Sequence, residues 1–434
     1  MNLSGRLNHY FDVARSVYLR IFRLWDSSYF YAAGIKIITA VQFMLIAKLV
    51  SVEFSLSDAG NFFLMYNAGL LVSALFFSTH SSGLLRYYSV FSDKATLFKT
   101  ILDQLGVILI VLSVIAILVF YSFGETIQYA VTIAYAGCIG MLLMLMTKFR
   151  VAGQFKHCFC LLVFQSIVLT SLILICVFNK SLSPSLIIVC LCVSILLSVA
   201  VYVVSRAGSL SRIIQKKVMD KQIRKSLCFY GFPFIVVAVS NLLISTNGQF
   251  MLKHLGYSDE VGVYAANYNI GEKSVFLWLS LVIMVNVPKI YHAYEENGVS
   301  SALNIIKNCM AILIFLGGLL FVFTVFWSRE LSTLLLSGEM SRLGHWIIPY
   351  TVISAILLGL CSLLVEALLI EKKSVIVAFC YLVSAIVSGV SAYLWIDRYG
   401  LVGAVLSPIF SNTLFLLLLI VFIKRNSRYN FDAG

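Results

Sequence analysis

The sequence is poor in charge: Asp, Glu, Lys and Arg together make up 12% of its 434 residues, and only 19 of those are acidic. A water-soluble chain of this length needs far more polar surface, so a soluble globular class is excluded. Proline is scarce, with five in all, so little interrupts long helices. No Walker-type phosphate loop, no dinucleotide fingerprint and no Gly-x-Ser-x-Gly occurs. An ATP-driven pump would therefore need a separate subunit, and hydrolase chemistry has no nucleophile elbow. The six histidines form no pair at ligand spacing. The ten cysteines lie nearly all in apolar runs, and Cys158/Cys160 and Cys190/Cys192 sit two apart, on different faces of a helix. They read as small apolar fillers, and no metal or cofactor is expected.

What the sequence has is hydrophobicity: 61% of residues are hydrophobic and the mean hydropathy is +0.97. Runs of about 20 apolar residues suffice to cross a bilayer. Twelve are read, near 28–50, 59–82, 100–122, 127–147, 158–179, 184–205, 227–252, 261–287, 302–327, 344–370, 374–395 and 400–423. A stretch such as "LGVILIVLSVIAILVF" is apolar on all sides, so the spans are expected to be helices and not barrel strands.

The net charge of +13 is a topology signal. Twenty-four of the 32 basic residues fall in alternate connections and at both termini, among them Lys148, Arg150 and Lys156 between spans 4 and 5. Six fall on the opposite side, and Lys36 and Lys273 lie within spans. Basic residues stay in the cytoplasm during insertion, so both termini are expected there. Nucleic-acid binding is not expected. The first 26 residues lack a continuous apolar core, so they are no cleavable signal. They alternate Arg15, Arg20 and Arg23 with Tyr18, Ile21, Phe22 and Trp25. That pattern suits a basic amphipathic helix on the inner leaflet, although an orienting tail without regular structure fits equally.

One short pattern occurs twice. "SDAGNFFLMYNAG" (57–69) and "SDEVGVYAANYNIG" (258–271) both open with Ser-Asp and then run Gly, five residues, Tyr-Asn, one residue, Gly. "YFYAAG" (29–34) and "CFYGFP" (228–233) share Phe-Tyr where spans 1 and 7 begin. Six spans separate the copies, an even number, so the repeat is parallel. The expected fold is all-α and polytopic, with twelve transmembrane helices in two six-helix lobes. The lobes would be related by a pseudo-twofold axis along the membrane normal and enclose a central cavity. The parts are a segment over 1–26, an N-lobe over 27–205, a cytoplasmic linker over 206–226 and a C-lobe over 227–434.

A charged side chain in hydrocarbon costs roughly 2.5–3.5 kcal/mol on insertion scales, so polar groups inside spans are informative. Lys36, about eight residues into span 1, and Lys273, mid-span 8, are candidate cavity cations. The bland alternatives are snorkelling for Lys36 and an ion pair with Glu366 for Lys273. Arg86, at the inner end of span 2, suits either an anionic substrate or a lipid phosphate. Asn67, Asn241, Asn247, Gln249 and Asn269 are candidate cavity polar groups, or else inter-helix hydrogen-bonding groups. Glu272 and Glu366 are candidate coupling carboxylates. Pro233, Pro349 and Pro408 are candidate hinges. Cations exceed acids in this set, which favours an anionic substrate such as a phosphate or pyrophosphate.

These residues resemble a known family. "FYGFPFIVVAVSNLLISTNGQFMLKHLGYSDEVGVYAANYNIG" (229–271), "GLLRYYS" (83–89), "ALLIEKKS" (367–374) and "YGLVGAVLS" (399–407) are similar to stretches of the Wzx-like polysaccharide flippases. Those form a branch of the multidrug/oligosaccharidyl-lipid/polysaccharide exporter superfamily. The likeness runs over nearly the whole chain through loose motifs. Relatives often carry Asp-Arg where this chain has Asn247-Gly248. The resemblance implies a non-enzymatic flippase of the bacterial cytoplasmic membrane. It would move an undecaprenyl-diphosphate-linked sugar repeat, for O-antigen or a similar polymer, to the periplasmic leaflet by alternating access. Membrane lipids, a polysaccharide polymerase and a chain-length regulator are the implied partners, and Lys36, Asn67, Asn247, Asn269 and Lys273 the implied cavity residues. The alternatives are a multidrug or organic-cation antiporter of the same superfamily, which wants acids in the lumen, and a membrane polymerase or ligase, which wants a large outer loop.

Overall fold

The computed structural model describes residues 27–88, 93–122, 127–205, 221–336 and 338–426. The segment expected over 1–26 lies outside them, as does most of the linker expected over 206–226. The described residues are helical with no strand. In chain order the helices are α1 (Ser27–Glu53), α2 (Leu56–Tyr87), α3 (Lys94–Ser122), α4 (Ile127–Val151), α5 (Phe155–Phe178) and α6 (Pro184–Ser205). Then follow α7 (Lys221–His254), α8 (Ser258–Leu335), α9 (Gly338–Gly344), α10 (Ile347–Ile370), α11 (Ser374–Tyr399) and α12 (Leu401–Asn426).

Among the described residues, eleven helices are long and apolar enough to cross a bilayer, and the chain is a multi-pass membrane protein. The expected spans over 261–287 and 302–327 both fall in α8, of which Lys289–Leu335 is counted. Yet α8 is two helices joined at Gly298, whose φ of 76° and ψ of −170° suit only a residue without a Cβ. Limb one covers 258–297 and limb two 299–335.

Helix starts follow local chemistry. The Ser55 hydroxyl accepts from the Asp58 amide at 3.2 Å, and Asp58 lies in the first turn of α2. Limb one of α8 begins at Ser258 with Asp259 and Glu260 in its first turn. Carboxylates there complement the helix dipole, which accounts for the Asp at the start of both repeats. Pro184 begins α6, and the Ser183 hydroxyl accepts from the Leu186 amide at 3.2 Å.

Two large cores are present. One gathers Ile35, Phe43, Phe62, Phe63, Tyr135, Leu169 and Ile188 of the first half and takes in Ala265, Ile270 and Ile348 of the second; the other lies within the second half, from Ile244 to Ile423. Within the first half, α1 packs on α5, α2 on α4, and α4 and α5 on α6. In the second, α7 packs on α11, α8 on α10, and α10 and α11 on α12. The outward faces are apolar: Val107, Ile110, Val114 and Ile117 of α3, and Phe315, Leu319 and Phe326 of α8 are exposed, as lipid-facing positions require.

The halves meet along α2–α7, α2–α8 and α1–α8. At the end where α1 passes into α2, the two repeat glycines touch. A methyl on Gly262 would lie 2.3 Å from the Leu56 carbonyl oxygen, and one on Gly60 would lie 3.1 Å from the Gly262 nitrogen. This end is further tied by the Lys48 ammonium, which donates to the Thr333 carbonyl at 3.4 Å and to the Leu336 carbonyl. Both acceptors lie at the C-terminal end of limb two, where the helix dipole favours a cation. The second repeat glycines are placed alike: Gly69 of α2 abuts Tyr135 of α4, and Gly271 of α8 abuts Ile348 and Thr351 of α10.

Candidate substrate cavity

Away from the Gly60 contact, α1 and limb one of α8 part to leave a cavity of about 440 Å³. Its wall is built from helical stripes. α1 contributes Ala32, Ile35, Lys36, Thr39, Gln42, Phe43 and Ile46, and α4 contributes Tyr135, Ile139, Leu142, Leu143, Met146 and Arg150. Both sets recur every three or four residues, so one face of each helix lines the space. Limb one adds Phe276, Leu279, Ser280 and Ile283.

The charges on this wall are of one sign. Lys36 and Arg150 line it, and no carboxylate does. Lys36 feels repulsion from Arg150 and from Lys273. Among the described residues, neither Lys36 nor Arg150 has a carboxylate within 4 Å. The buried Cys158 of α5 lies within electrostatic reach of both. Polar but uncharged groups complete the wall. Tyr66 is there, as is Gln42, whose side-chain oxygen accepts from the Ser166 hydroxyl at 3.0 Å.

Lys273 is held differently. Its ammonium pairs with the neighbouring Glu272 at 3.1 Å and lies 5.8 Å from the centre of the Phe43 ring. Phe43 lines the cavity, whereas Lys273 is not among the lining residues. Its carboxylate partner is Glu272; Glu366 instead accepts from the Tyr291 hydroxyl at 3.4 Å.

The amide side chains that the sequence singled out are engaged away from the wall. Asn67 donates to Gln249 at 2.7 Å, joining α2 to α7. Asn247 donates to the Ala385 carbonyl of α11 at 3.3 Å, and Asn269 to the Ala265 carbonyl of its own helix at 2.7 Å. Asn241 is half-buried on α7 and is not among the lining residues. Arg86 lies in the last turn of α2, and its side chain is outside the described set. Pro233 and Pro408 are inside α7 and α12. Pro349 falls in the first turn of α10, where amides lack intrahelical acceptors, so it breaks no helix bond.

Arg150 is the wall residue that sequence reasoning missed. It was assigned to the connection after span 4, read as ending at 147, whereas α4 continues to Val151. Its stripe was the available signal: Arg150 is four residues after Met146 and continues the series from Tyr135. Lys148, two residues away, faces elsewhere, 4.0 Å from the Phe98 ring of α3.

The architecture just described is shared with transport proteins of the MOP superfamily. A solved structure titled lipid II flippase MurJ in an inward closed conformation matches 91% of this chain and 87% of its own, at 12% identity and a TM-score of 0.71. The Vibrio cholerae MATE transporter VcmN matches 92% of this chain and 97% of its own, at 14% identity and a TM-score of 0.61. An inward-facing multidrug resistance MATE family transporter gives 14% identity over 92% of this chain and 96% of its own, with a TM-score of 0.62. At these identities the likeness is one of fold. No protein-family model matches the chain, and no curated protein matches it.

Proposed function

We propose that this chain is a flippase for a polyprenyl-diphosphate-linked oligosaccharide, carrying a repeat unit of O-antigen or a similar polymer across the bacterial cytoplasmic membrane. The observation that carries this reading is the sign of the cavity: two cations and no carboxylate on its wall. A cationic wall inside a membrane protein selects for an anion. The apolar exterior leaves a polyprenyl tail in lipid, so only the diphosphate and adjoining sugar need shelter. A volume near 440 Å³ is within the roughly 300–1,000 Å³ of small-molecule sites.

On this reading α8 crosses twice, giving twelve spans in two lobes about an axis through the Gly60–Gly262 contact, with both termini cytoplasmic. The glycine contact then closes the periplasmic side, and the cavity faces the cytoplasm. Lys36 and Arg150 supply the cationic field on the wall, Lys273 stands nearby paired with Glu272, and Arg86 is at the cytoplasmic end. Pro233 and Pro408 are bending points as the lobes rock, with Pro349 at the start of its span. Glu272 and Glu366 are the carboxylates available to carry a coupling proton. Asn67, Asn241, Asn247, Gln249 and Asn269 serve the lobe framework. A polymerase and a chain-length regulator would act on the product.

The rival is a multidrug antiporter; one of the fold relatives is titled a multidrug resistance transporter. An organic cation would meet Lys36 and Arg150 with no compensating acid, so the anion reading is preferred. Expression in a flippase-null strain is expected to restore surface polysaccharide without raising resistance to cationic drugs, and Lys36→Ala is expected to abolish that rescue. Drug resistance without rescue would select the antiporter.

A further inference from the structure

We propose that Lys36 and Arg150 together form the phosphate-binding subsite of the cavity, with Arg150 and not Lys273 as the partner of Lys36 in gripping a diphosphate. The proposal takes the identity of the natural ligand from the flippase reading, but the subsite itself stands on the cavity's own residues.

Lys36 lies within electrostatic reach of both Arg150 and Lys273, and the three cations differ in what holds them. Lys273 has its counter-ion at 3.1 Å in Glu272 and lies beside Phe43 without being a lining residue itself. A phosphate reaching it would have to displace a carboxylate already in place. Lys36 and Arg150 are exposed on the wall, have no carboxylate within 4 Å among the described residues, and both lie within electrostatic reach of Cys158. Two unneutralised like charges facing one enclosed space repel each other. An anion placed between them converts that repulsion into two attractions.

The two side chains divide the task. Arg150 ends the cavity stripe of α4, one residue before the helix terminus, where the dipole favours a cation in the absence of ligand. Its planar guanidinium can grip two phosphate oxygens at once. Lys36 reaches from α1 as a point charge and can follow either phosphorus. A diphosphate held here would lie on α1 and α4, both of the first half, and face the limb-one residues Phe276, Leu279, Ser280 and Ile283 across the cavity. The shared chemistry is a phosphate dianion, which could come from a polyprenyl diphosphate or from free pyrophosphate.

The full-length protein, purified in detergent, is titrated with undecaprenyl diphosphate and separately with sodium pyrophosphate, with thermophoresis as the binding readout. Arg150→Gln and Lys36→Gln are each expected to weaken both anions by about tenfold or more, the loss of one charged hydrogen-bonded contact. Arg150→Lys should keep part of the affinity, and Lys273→Gln should cost less than either. Since Lys36 and Arg150 lie on different helices, the same loss from both variants, each melting like wild type, identifies the pair. An Arg150→Gln protein that binds both anions as wild type does, a larger loss in Lys273→Gln, or a wild type that binds neither anion would overturn the subsite. Arg150-dependent pyrophosphate binding, with undecaprenyl diphosphate held no better than undecaprenol, would keep the subsite and remove the flippase reading. Tight lipid binding indifferent to Arg150 would do the reverse.

Discussion

The two copies of the Ser-Asp…Gly…Tyr-Asn-x-Gly pattern keep the same glycine contacts and use their polar residues differently. Gly60 and Gly262 face each other where α2 crosses α8, and Gly69 and Gly271 each meet the helix two spans on. Between them the copies diverge. Tyr66 lines the cavity, while its counterpart Tyr268 is buried. Asn67 reaches across to Gln249 of α7, while its counterpart Asn269 turns back on its own helix. Backbone approach at a crossing leaves no freedom of side chain, so the glycines hold on both sides. Polar positions answer to whatever faces them, and here only the first half builds most of the cavity wall.

The glycine contacts offer the largest test of that symmetry. A methyl on Gly262 would sit 2.3 Å from the Leu56 carbonyl, against 3.1 Å for the nearest atom to a methyl on Gly60. Backbone must move in the first case, and a smaller shift suffices in the second. Gly262→Ala is expected to lower stability by about 1–3 kcal/mol and to loosen this end of the molecule. Gly60→Ala should cost clearly less. Thermal unfolding in detergent, with the accessibility of a cysteine placed at Lys48, gives both readings. Equal costs would mean that the crossing relaxes symmetrically and that the glycines are not held by close approach.

A second test addresses the polar divergence. Asn67 and Gln249 are both buried, and Asn67→Leu leaves the Gln249 carbonyl without its donor. The expected loss is about 1–3 kcal/mol. Combining it with Gln249→Leu should recover part of that, because both partners then become apolar. A strictly additive double mutant would remove this bond as a link between α2 and α7.

The helical class, most span positions and the doubled pattern were legible because hydropathy and glycine spacing are local properties. The repeat even located a true contact, although nothing in the sequence says that Gly60 meets Gly262. Lys36 was legible as a charge inside an apolar run. Arg150 was not, because it ends its run, and a cation at a span end reads as topology. Lys273 was visible as a candidate cavity cation, and the ion pair weighed as its bland alternative was with Glu366, 93 positions away along the sequence. Adjacent residues point about 100° apart on a helix, which argued against Glu272. Both side chains are long enough to reach each other at 3.1 Å in spite of that angle. Rotamers, unlike periodicity, are set by neighbours that the sequence does not name.

The smallest expected effect completes the contrast between the copies. Asn269 is 6% exposed, so burial alone would rank it with Asn67. Its amide, however, donates only to the Ala265 carbonyl, an acceptor one helical turn back with a second lone pair to spare. Asn269→Leu is close to isosteric and leaves no donor or acceptor on another helix stranded. The expected cost is therefore below about 1 kcal/mol, the scale of one exchanged neutral hydrogen bond. Polysaccharide rescue should stay near the wild-type level, while Asn67→Leu lowers the melting temperature visibly. If Asn269→Leu proved as damaging as Asn67→Leu, the two asparagines would share a role after all, with Asn269 turning toward a partner in another state of the molecule. The copies would then be alike in polar function as well as in backbone.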